Sequence, residues 1–98
     1  MTRVLVAPSA RDDLDRLIRS HSLPADTPKR VRRSLERLDT FPLLGRELTG
    51  RWSGYRFLHG PWRWLIVVYA FDPETETVMV VSFEDARSST SVTSETVS

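Results

Sequence analysis

One apolar stretch constrains the fold of this chain more than any other. It runs from Trp62 to Phe71, reads WRWLIVVYAF and carries a single charge. Side chains of a β-strand alternate between the two faces of a sheet, and here both alternating sets are apolar apart from Arg63. The pattern predicts one long strand that is covered on both faces. Arg63 is then either an edge residue whose head reaches water or a cation held by a rigid element to meet a phosphate.

Three shorter apolar runs predict further strands. They cover residues 3–6, 55–58 and 78–83. Turn-forming sequences at 59–61 and 72–75 separate the last two runs from the long strand. The last three strands are therefore expected to form an antiparallel meander.

Two amphipathic helices are expected between the first two strands. Ser9 is the predicted N-cap of the first helix, which ends near Ser20 or His21. Thr27 is the predicted N-cap of the second helix, which Pro42 brings to an end. Two such helices with a short connector favour a hairpin packed on one face of the sheet. The predicted fold class is α+β, with the element order β-α-α-β-β-β.

The composition indicates a single globular domain. The chain has 98 residues, of which 40% are hydrophobic and 28% are charged. It has no cysteine, so disulfide and thiolate chemistry are excluded, and its two histidines lack the spacing of metal ligands. No stretch is long and apolar enough to span a membrane. These features favour a cytoplasmic protein that uses no metal or cofactor.

The last residues differ in character from the rest. Residues 88–98 are rich in serine and threonine, have little to bury and show no period. We expect a folded domain at 1–87 followed by a flexible tail.

Positive charge is concentrated in the middle of the chain, although the formal net charge is only +1. A basic middle flanked by acidic patches is typical of a surface that faces nucleic acid. It is equally typical of a charged helix that is merely solvated. The candidate RNA-binding residues are Arg30, Arg33, Arg37, Arg46 and Arg51.

The element order and several short motifs resemble the RelE/ParE superfamily of bacterial toxins from type II toxin–antitoxin systems. The motifs are a small residue before an acidic-leucine pair, a link with Pro and Gly, a paired arginine hairpin and a last strand that runs to an arginine. They lie at Ala10–Leu14, Leu38–Leu48, Gly54–Arg56, Trp62–Arg63 and Val80–Arg87. The resemblance covers residues 3–87 and implies a RelE-like fold.

The resemblance also implies an activity. Toxins of the RelE type cut messenger RNA in the ribosomal A site, which makes this chain a candidate ribosome-dependent endoribonuclease that inhibits growth. Arg56 and Arg63 match the basic residues of the family's strands, and Arg87 matches its C-terminal arginine. An arginine keeps its proton, so these residues would clamp the phosphate while another group moves the proton. The candidates for that group are Glu47, His59 and Tyr55.

Two departures from the family pattern leave other functions open. No Tyr or His follows Arg87, and Ile66 stands where the family has a tyrosine. One alternative is a non-enzymatic toxin resembling ParE, which acts on DNA gyrase. Another is an inactive toxin-fold protein that only binds a partner. In all three cases the resemblance implies a cognate antitoxin as a partner. The expected target is the ribosome with messenger RNA, or alternatively DNA gyrase.

Overall fold

Five strands form one mixed sheet in the computed structural model, which describes residues 2–88. Apart from Ser88, the expected tail at 88–98 lies outside the described residues. The elements in chain order are β1 (Arg3–Val6), α1 (Pro8–Ser20), α2 (Thr27–Leu35), α3 (Arg37–Thr40), β2 (Arg46–Glu47), a 3-10 turn (Gly50–Trp52), β3 (Arg56–His59), β4 (Leu65–Asp72) and β5 (Thr77–Asp85).

The strand order across the sheet is β1-β5-β4-β3-β2. β4 is central and pairs antiparallel with both β3 and β5, which confirms the expected meander. β1 returns to the sheet at its edge and pairs parallel with β5. β2 was not expected, because only Arg46 and Glu47 pair with β3 and two residues give no alternating pattern.

The prediction for the central strand was right about its burial and wrong about its start. Residues 65–69 are all buried, with exposures between 0% and 1%, so both faces of β4 are covered. The strand begins at Leu65 rather than Trp62. The Leu65 N–H donates to the carbonyl of Trp62 at 3.1 Å and closes a turn after Pro61, which has no N–H for a ladder. Arg63 therefore lies in an exposed turn and not on the strand.

Both long helices begin near the predicted residues but with different capping. α1 starts at Pro8, whose fixed φ suits the first helical position, and Ser9 does not cap it. The Ser9 hydroxyl instead donates to the carbonyl of Val81 at 3.4 Å. Thr27 is buried inside α2, and its hydroxyl donates to the carbonyl of Pro24 at 2.6 Å. The predicted caps were therefore wrong, since both hydroxyls bond elsewhere.

The helix ends agree better with the sequence. α1 ends at Ser20, as expected. The second helix is interrupted at Glu36 and resumes as α3, which stops at Thr40, shortly before Pro42.

All three helices pack against the same face of the sheet, as expected. The shared core consists of residues from the helices and from β3, β4 and β5: Ala10, Val31, Leu35, Leu38, Leu58, Leu65, Val67, Tyr69, Val78, Val80 and Phe83. Full burial of a side chain such as that of Leu38 contributes about 2 kcal/mol. On the opposite face, Phe57, Ile66 and Val68 form a smaller cluster with Leu48, the residue after β2.

α1 runs alongside the second half of β5, and this places its end near the end of that strand. The contacts advance together along both elements. Ser9 contacts Val81, and the carboxylate of Asp13 accepts the N–H of Phe83 at 3.3 Å. The residue after α1 therefore reaches the last residue of β5.

No helix among residues 2–88 is long and apolar enough to cross a membrane.

Candidate functional site

The predicted catalytic residues fall into two groups that lie apart. Arg56 and Glu47 face each other on paired strands at the β2 edge. Arg63 and Arg87 lie at the other end of β4, where that strand begins and β5 has just ended. Arg56 pairs with Tyr69, which lies four residues, or about 13 Å at the rise of a strand, beyond the start of β4. The structure does not bring the three arginines into one site.

The guanidinium of Arg56 is engaged by the protein itself. Its Nη2 donates to Oε1 of Glu47 at 3.0 Å. Its Nη1 donates to the carbonyls of Gly45 at 2.8 Å and Leu43 at 3.3 Å. The Arg56 side chain is 22% exposed and holds the link between α3 and β2 in place.

The same link is held from inside the fold by Tyr69. The backbone N–H of Gly45 donates to the Tyr69 hydroxyl at 2.7 Å. A Cβ at position 45 would lie 2.6 Å from that hydroxyl and 2.7 Å from the carbonyl oxygen of Phe57, so only glycine fits. Burial raises the pKa of Tyr69 and opposes its ionisation. This tyrosine is a buried structural residue.

Arg63 and Arg87 lie on adjoining backbone segments. Leu65 pairs with Asp85, and the Ala86 N–H donates to the Trp64 carbonyl at 2.7 Å. Arg63 directly precedes Trp64 and Arg87 directly follows Ala86, so both arginines lie one residue beyond this hydrogen-bonded pair. Within residues 2–88 the side chain of Arg63 is exposed and makes no hydrogen bond or ion pair.

Asp85 connects Arg87 to a histidine from the end of α1. Its Oδ1 accepts the backbone N–H of Arg87 at 2.8 Å and Nε at 3.0 Å. Its Oδ2 accepts Nη2 of Arg87 at 3.1 Å and Nε2 of His21 at 3.0 Å. The side-chain hydrogen bond from Arg87 is the largest influence that lowers the pKa of Asp85, to about 2. Asp85 is therefore a carboxylate at neutral pH.

The imidazole of His21 is oriented by more than Asp85. Its ring stacks on Trp64 with centroids 4.8 Å apart and planes 7° apart. Its Nδ1 lies 2.9 Å from the hydroxyl oxygen of Ser20. The side chain remains 27% exposed, so solvent can reach it. A titratable ring is thus fixed beside Arg87, at the open end of the sheet.

Sequence reasoning missed His21 and Asp85. They are 64 positions apart and share no motif. The usable signal was indirect: one is the residue after α1 and the other is the last residue of β5, and packing these two elements in register brings both ends together.

The other predicted residues are more dispersed. His59 ends β3 and is exposed, and its ring meets that of Phe57 edge-on, with centroids 6.2 Å apart. Tyr55 lies against Trp52 on the opposite face of the sheet. Neither lies in the group formed by His21 and Asp85. Among the described residues, no three acidic or histidine side chains are placed to hold a metal ion.

Three of the five predicted RNA-binding residues come together. Arg30, Arg33 and Arg37 line an open depression of about 520 Å³ between α2 and the turn at Gly60 and Pro61. The other two lie elsewhere, on β2 and on the 3-10 turn, at Arg46 and Arg51.

Solved toxin structures share this fold. A toxin–antitoxin complex, RelBE2 of Mycobacterium tuberculosis, contains a chain with 24% identity and a TM-score of 0.60, over 86% of this chain and 96% of that one. The YoeB/ParE toxin of Agrobacterium tumefaciens has 16% identity and a TM-score of 0.66, over 86% and 98%. The chromosomal ParDE system of P. aeruginosa has 12% identity and a TM-score of 0.67, over 89% and 98%. At these identities the likeness shows the fold alone.

Sequence comparison identifies the family. None of the curated proteins matches the chain. Residues 4–89 match the family model of the ParE toxin of the type II toxin–antitoxin system parDE. Because the match covers most of the chain, this protein belongs to the ParE toxin family of type II toxin–antitoxin systems.

Proposed function

We propose that this toxin inhibits growth by cutting messenger RNA on the ribosome. The observation that carries the proposal is the group at the end of the sheet. The exposed residue Arg63 lies on the backbone segment next to that of Arg87, and Arg87 shares the carboxylate of Asp85 with His21. Cations can stabilise the charge that grows on an RNA phosphodiester during cleavage, and an oriented imidazole can accept the proton of the attacking hydroxyl.

The chemistry uses the RNA's own 2′-hydroxyl as nucleophile. That oxygen loses its proton and attacks the adjacent phosphorus, and the bond to the 5′-oxygen breaks. The products are a 2′,3′-cyclic phosphate and a 5′-hydroxyl, which takes up a proton from solvent. Arg63 and Arg87 would bind the non-bridging oxygens, where negative charge grows in the transition state.

His21 is the proposed acceptor of the 2′-hydroxyl proton. Because Asp85 is ionised, it accepts a hydrogen bond from Nε2 of the imidazole and leaves the lone pair on Nδ1. Nδ1 is the atom next to the exposed hydroxyl of Ser20. A substrate hydroxyl that replaced Ser20 there would meet an imidazole nitrogen, in a ring held by a carboxylate as in other hydrolytic sites.

This assignment changes the roles of the residues that sequence reasoning put forward. Arg56 would position the segment before β2 rather than bind substrate, because its Nη1 and Nη2 already donate to Gly45 and Glu47. Glu47 would keep Arg56 in place. His59 has no partner that orients its imidazole within residues 2–88, so it is a weaker candidate for moving the proton.

We also propose a cognate antitoxin as the partner of this toxin. The solved relatives include complexes described as toxin–antitoxin assemblies. The structure offers a large groove of about 890 Å³ bordered by β1, α1 and α2, with Val4, Leu14 and Leu35 among its lining residues. β1 is also an edge strand with Leu5 38% exposed. An apolar segment of an antitoxin could pair with this edge and fill the groove.

The alternative function is a ParE-like action on DNA gyrase without catalysis. It is favoured by the match to the ParE toxin family. It is also favoured by the ion pair between Arg87 and Asp85, which occupies much of the Arg87 guanidinium. The two functions differ in one product. Purified toxin added to ribosomes that translate a defined message should give new 5′ ends inside the reading frame, whereas a gyrase toxin should leave the message whole.

A further inference from the structure

The depression beside α2 continues into the aromatic residues of the neighbouring turn. Arg30 lines the depression, and its guanidinium also lies 6.0 Å from the centre of the Trp62 ring. Trp62 stacks on Trp64 with centroids 5.8 Å apart and planes 10° apart. Arg87 lies over Trp64 at 5.1 Å. A pair of stacked tryptophan rings thus lies between Arg30 on α2 and Arg87 at the proposed cleavage site.

Some of the cations along this path form ion pairs with described residues and others do not. Lys29 and Arg33 are exposed and have no hydrogen bond or ion pair within residues 2–88. Arg30 pairs with Asp26, which is the one acidic residue in the lining. Among the described residues, Arg37 donates only to backbone carbonyls, those of Ser34 and His59. The depression therefore carries a net positive charge that the described residues leave unbalanced.

The spacing of these cations suits a strand of nucleic acid. Lys29, Arg33 and Arg37 follow one another at four-residue intervals, so they lie on one face of the helical segment at steps of about 6 Å. Successive phosphates along an RNA strand repeat on a comparable scale. Single-stranded nucleic acid is characteristically bound by a cationic groove combined with aromatic rings on which bases stack.

We propose that Lys29, Arg30, Arg33 and Arg37, together with Trp62, form a track that binds single-stranded RNA. The cations bind backbone phosphates, and one base stacks on the Trp62 ring in place of the Arg30 guanidinium. The track leads the message to Arg63 and Arg87. This inference rests on the proposed function, because it names how the substrate of that same site is held.

An acidic protein would also be attracted by these cations. The carboxylates of such a protein would gain little from the half-exposed stack of Trp62 and Trp64, whose ring planes lie 10° apart. Stacking on a flat ring is what bases provide and carboxylates do not. RNA is therefore the ligand that uses both parts of the track.

The test measures binding of a short fluorescein-labelled oligouridylate by the purified toxin at several salt concentrations. The test variant is Lys29→Glu/Arg33→Glu. The matched control is Arg11→Glu/Arg32→Glu, which makes the same change in net charge but alters residues that line the groove beside β1. We expect about tenfold weaker binding for the test variant and a salt dependence whose log–log slope falls by about 1.4, for two lost phosphate contacts. The control should bind within about twofold of the wild type by the same reasoning.

Stacking has its own readout. Bound RNA should quench tryptophan fluorescence in the wild type and in the test variant at saturating RNA, and the quenching should shrink in Trp62→Leu. Circular dichroism establishes whether that variant folds. The charge-reversal pair carries the test where Trp62→Leu does not fold.

Three results would overturn the track. They are equal losses in the test and control pairs, no loss in either, or an equally tight and equally sensitive interaction with polyglutamate, which would assign the surface to an acidic protein. These results are distinct from failure of the proposed function. If messages are cut while the test pair binds RNA normally, only the track is wrong. If the track binds RNA and no message is cut, only the cleavage proposal is wrong.

Discussion

Oδ2 of Asp85 accepts a hydrogen bond from Nε2 of His21 at 3.0 Å, across 64 residues of sequence. The same oxygen accepts Nη2 of Arg87 at 3.1 Å. One carboxylate therefore fixes both an imidazole and a guanidinium at the end of the sheet. The arrangement ties α1 to β5, and the proposed cleavage would use the imidazole that it orients beside a cation.

The acid stability of the protein should depend on Asp85. Its pKa is lowered from 3.8 to about 2 in the folded state, so the stabilisation it supplies is complete above pH 4 and is lost as the pH falls to about 2. We expect Asp85→Asn to be less stable than the wild type at pH 6 and to approach it near pH 2. Urea unfolding across this range measures the difference. A constant gap between the two proteins would contradict the assigned interaction.

His21→Gln should impair cleavage without unfolding the protein, because the amide can still donate to Asp85. Loss of a general base costs about 100-fold or more in rate. The control is His59→Gln, which changes the exposed histidine whose ring lies edge-on to Phe57. We expect the control to cut messages at nearly the wild-type rate. Equal effects of the two variants would contradict the role given to His21.

Replacement of Arg63 should mainly affect toxicity, whereas replacement of Arg56 should mainly affect stability. Arg63→Ala should abolish toxicity and change the free energy of unfolding by less than about 0.5 kcal/mol, because the side chain is exposed and unpaired within the described residues. Arg56→Ala should lower that free energy by about 1–3 kcal/mol, since the carbonyl of Gly45 and the carboxylate of Glu47 lose their donor. Thermal unfolding and growth assays on both variants separate the roles. A folded but non-toxic Arg56→Ala would instead support a catalytic role for that residue.

Tyr69→Phe should destabilise the fold by about 1–3 kcal/mol, because the N–H of Gly45 would be buried without a partner. Gly45→Ala should cost a similar amount through crowding against the Tyr69 hydroxyl. Burial raises the pKa of Tyr69, so the wild type should lose stability as the pH rises above about 10. The phenylalanine variant should lack this alkaline loss, which denaturant titrations at pH 8–11 would reveal. An unchanged alkaline slope would show that Tyr69 is not the group responsible.

Periodic patterns in the sequence predicted most of the fold but little of the candidate site. Alternation over residues 65–71 and helical spacing in the first half of the chain predicted the central strand, the meander and the helical layer. The start of β4 was misplaced because Trp62 and Trp64 continue the alternation while lying in a turn that Pro61 favours. Their rings pack beside the end of the sheet, so apolar character there reflects packing and not strand pairing.

The site depended on contacts that no local pattern encodes. His21 meets Asp85 only because α1 packs along β5 in one particular register. In the sequence, Arg56 looks like a free basic residue. Its hydrogen bond to the carbonyl of Gly45 depends on the fold, which brings the segment between α3 and β2 back to β3. The family resemblance put forward Arg63 and Arg87, which lie on adjoining backbone, and it could not supply the histidine from another element.

The most direct test is to induce the chain alone in a bacterial host and to map the 5′ ends of messenger RNA. Arg63→Ala and His59→Gln, expressed to the same level, serve as the inactive and active controls. We expect new 5′ ends confined to translated regions and fixed in their position within the codon, present with the wild type and His59→Gln and missing with Arg63→Ala. Growth arrest without such ends would contradict messenger RNA cleavage and would point to a target such as DNA gyrase.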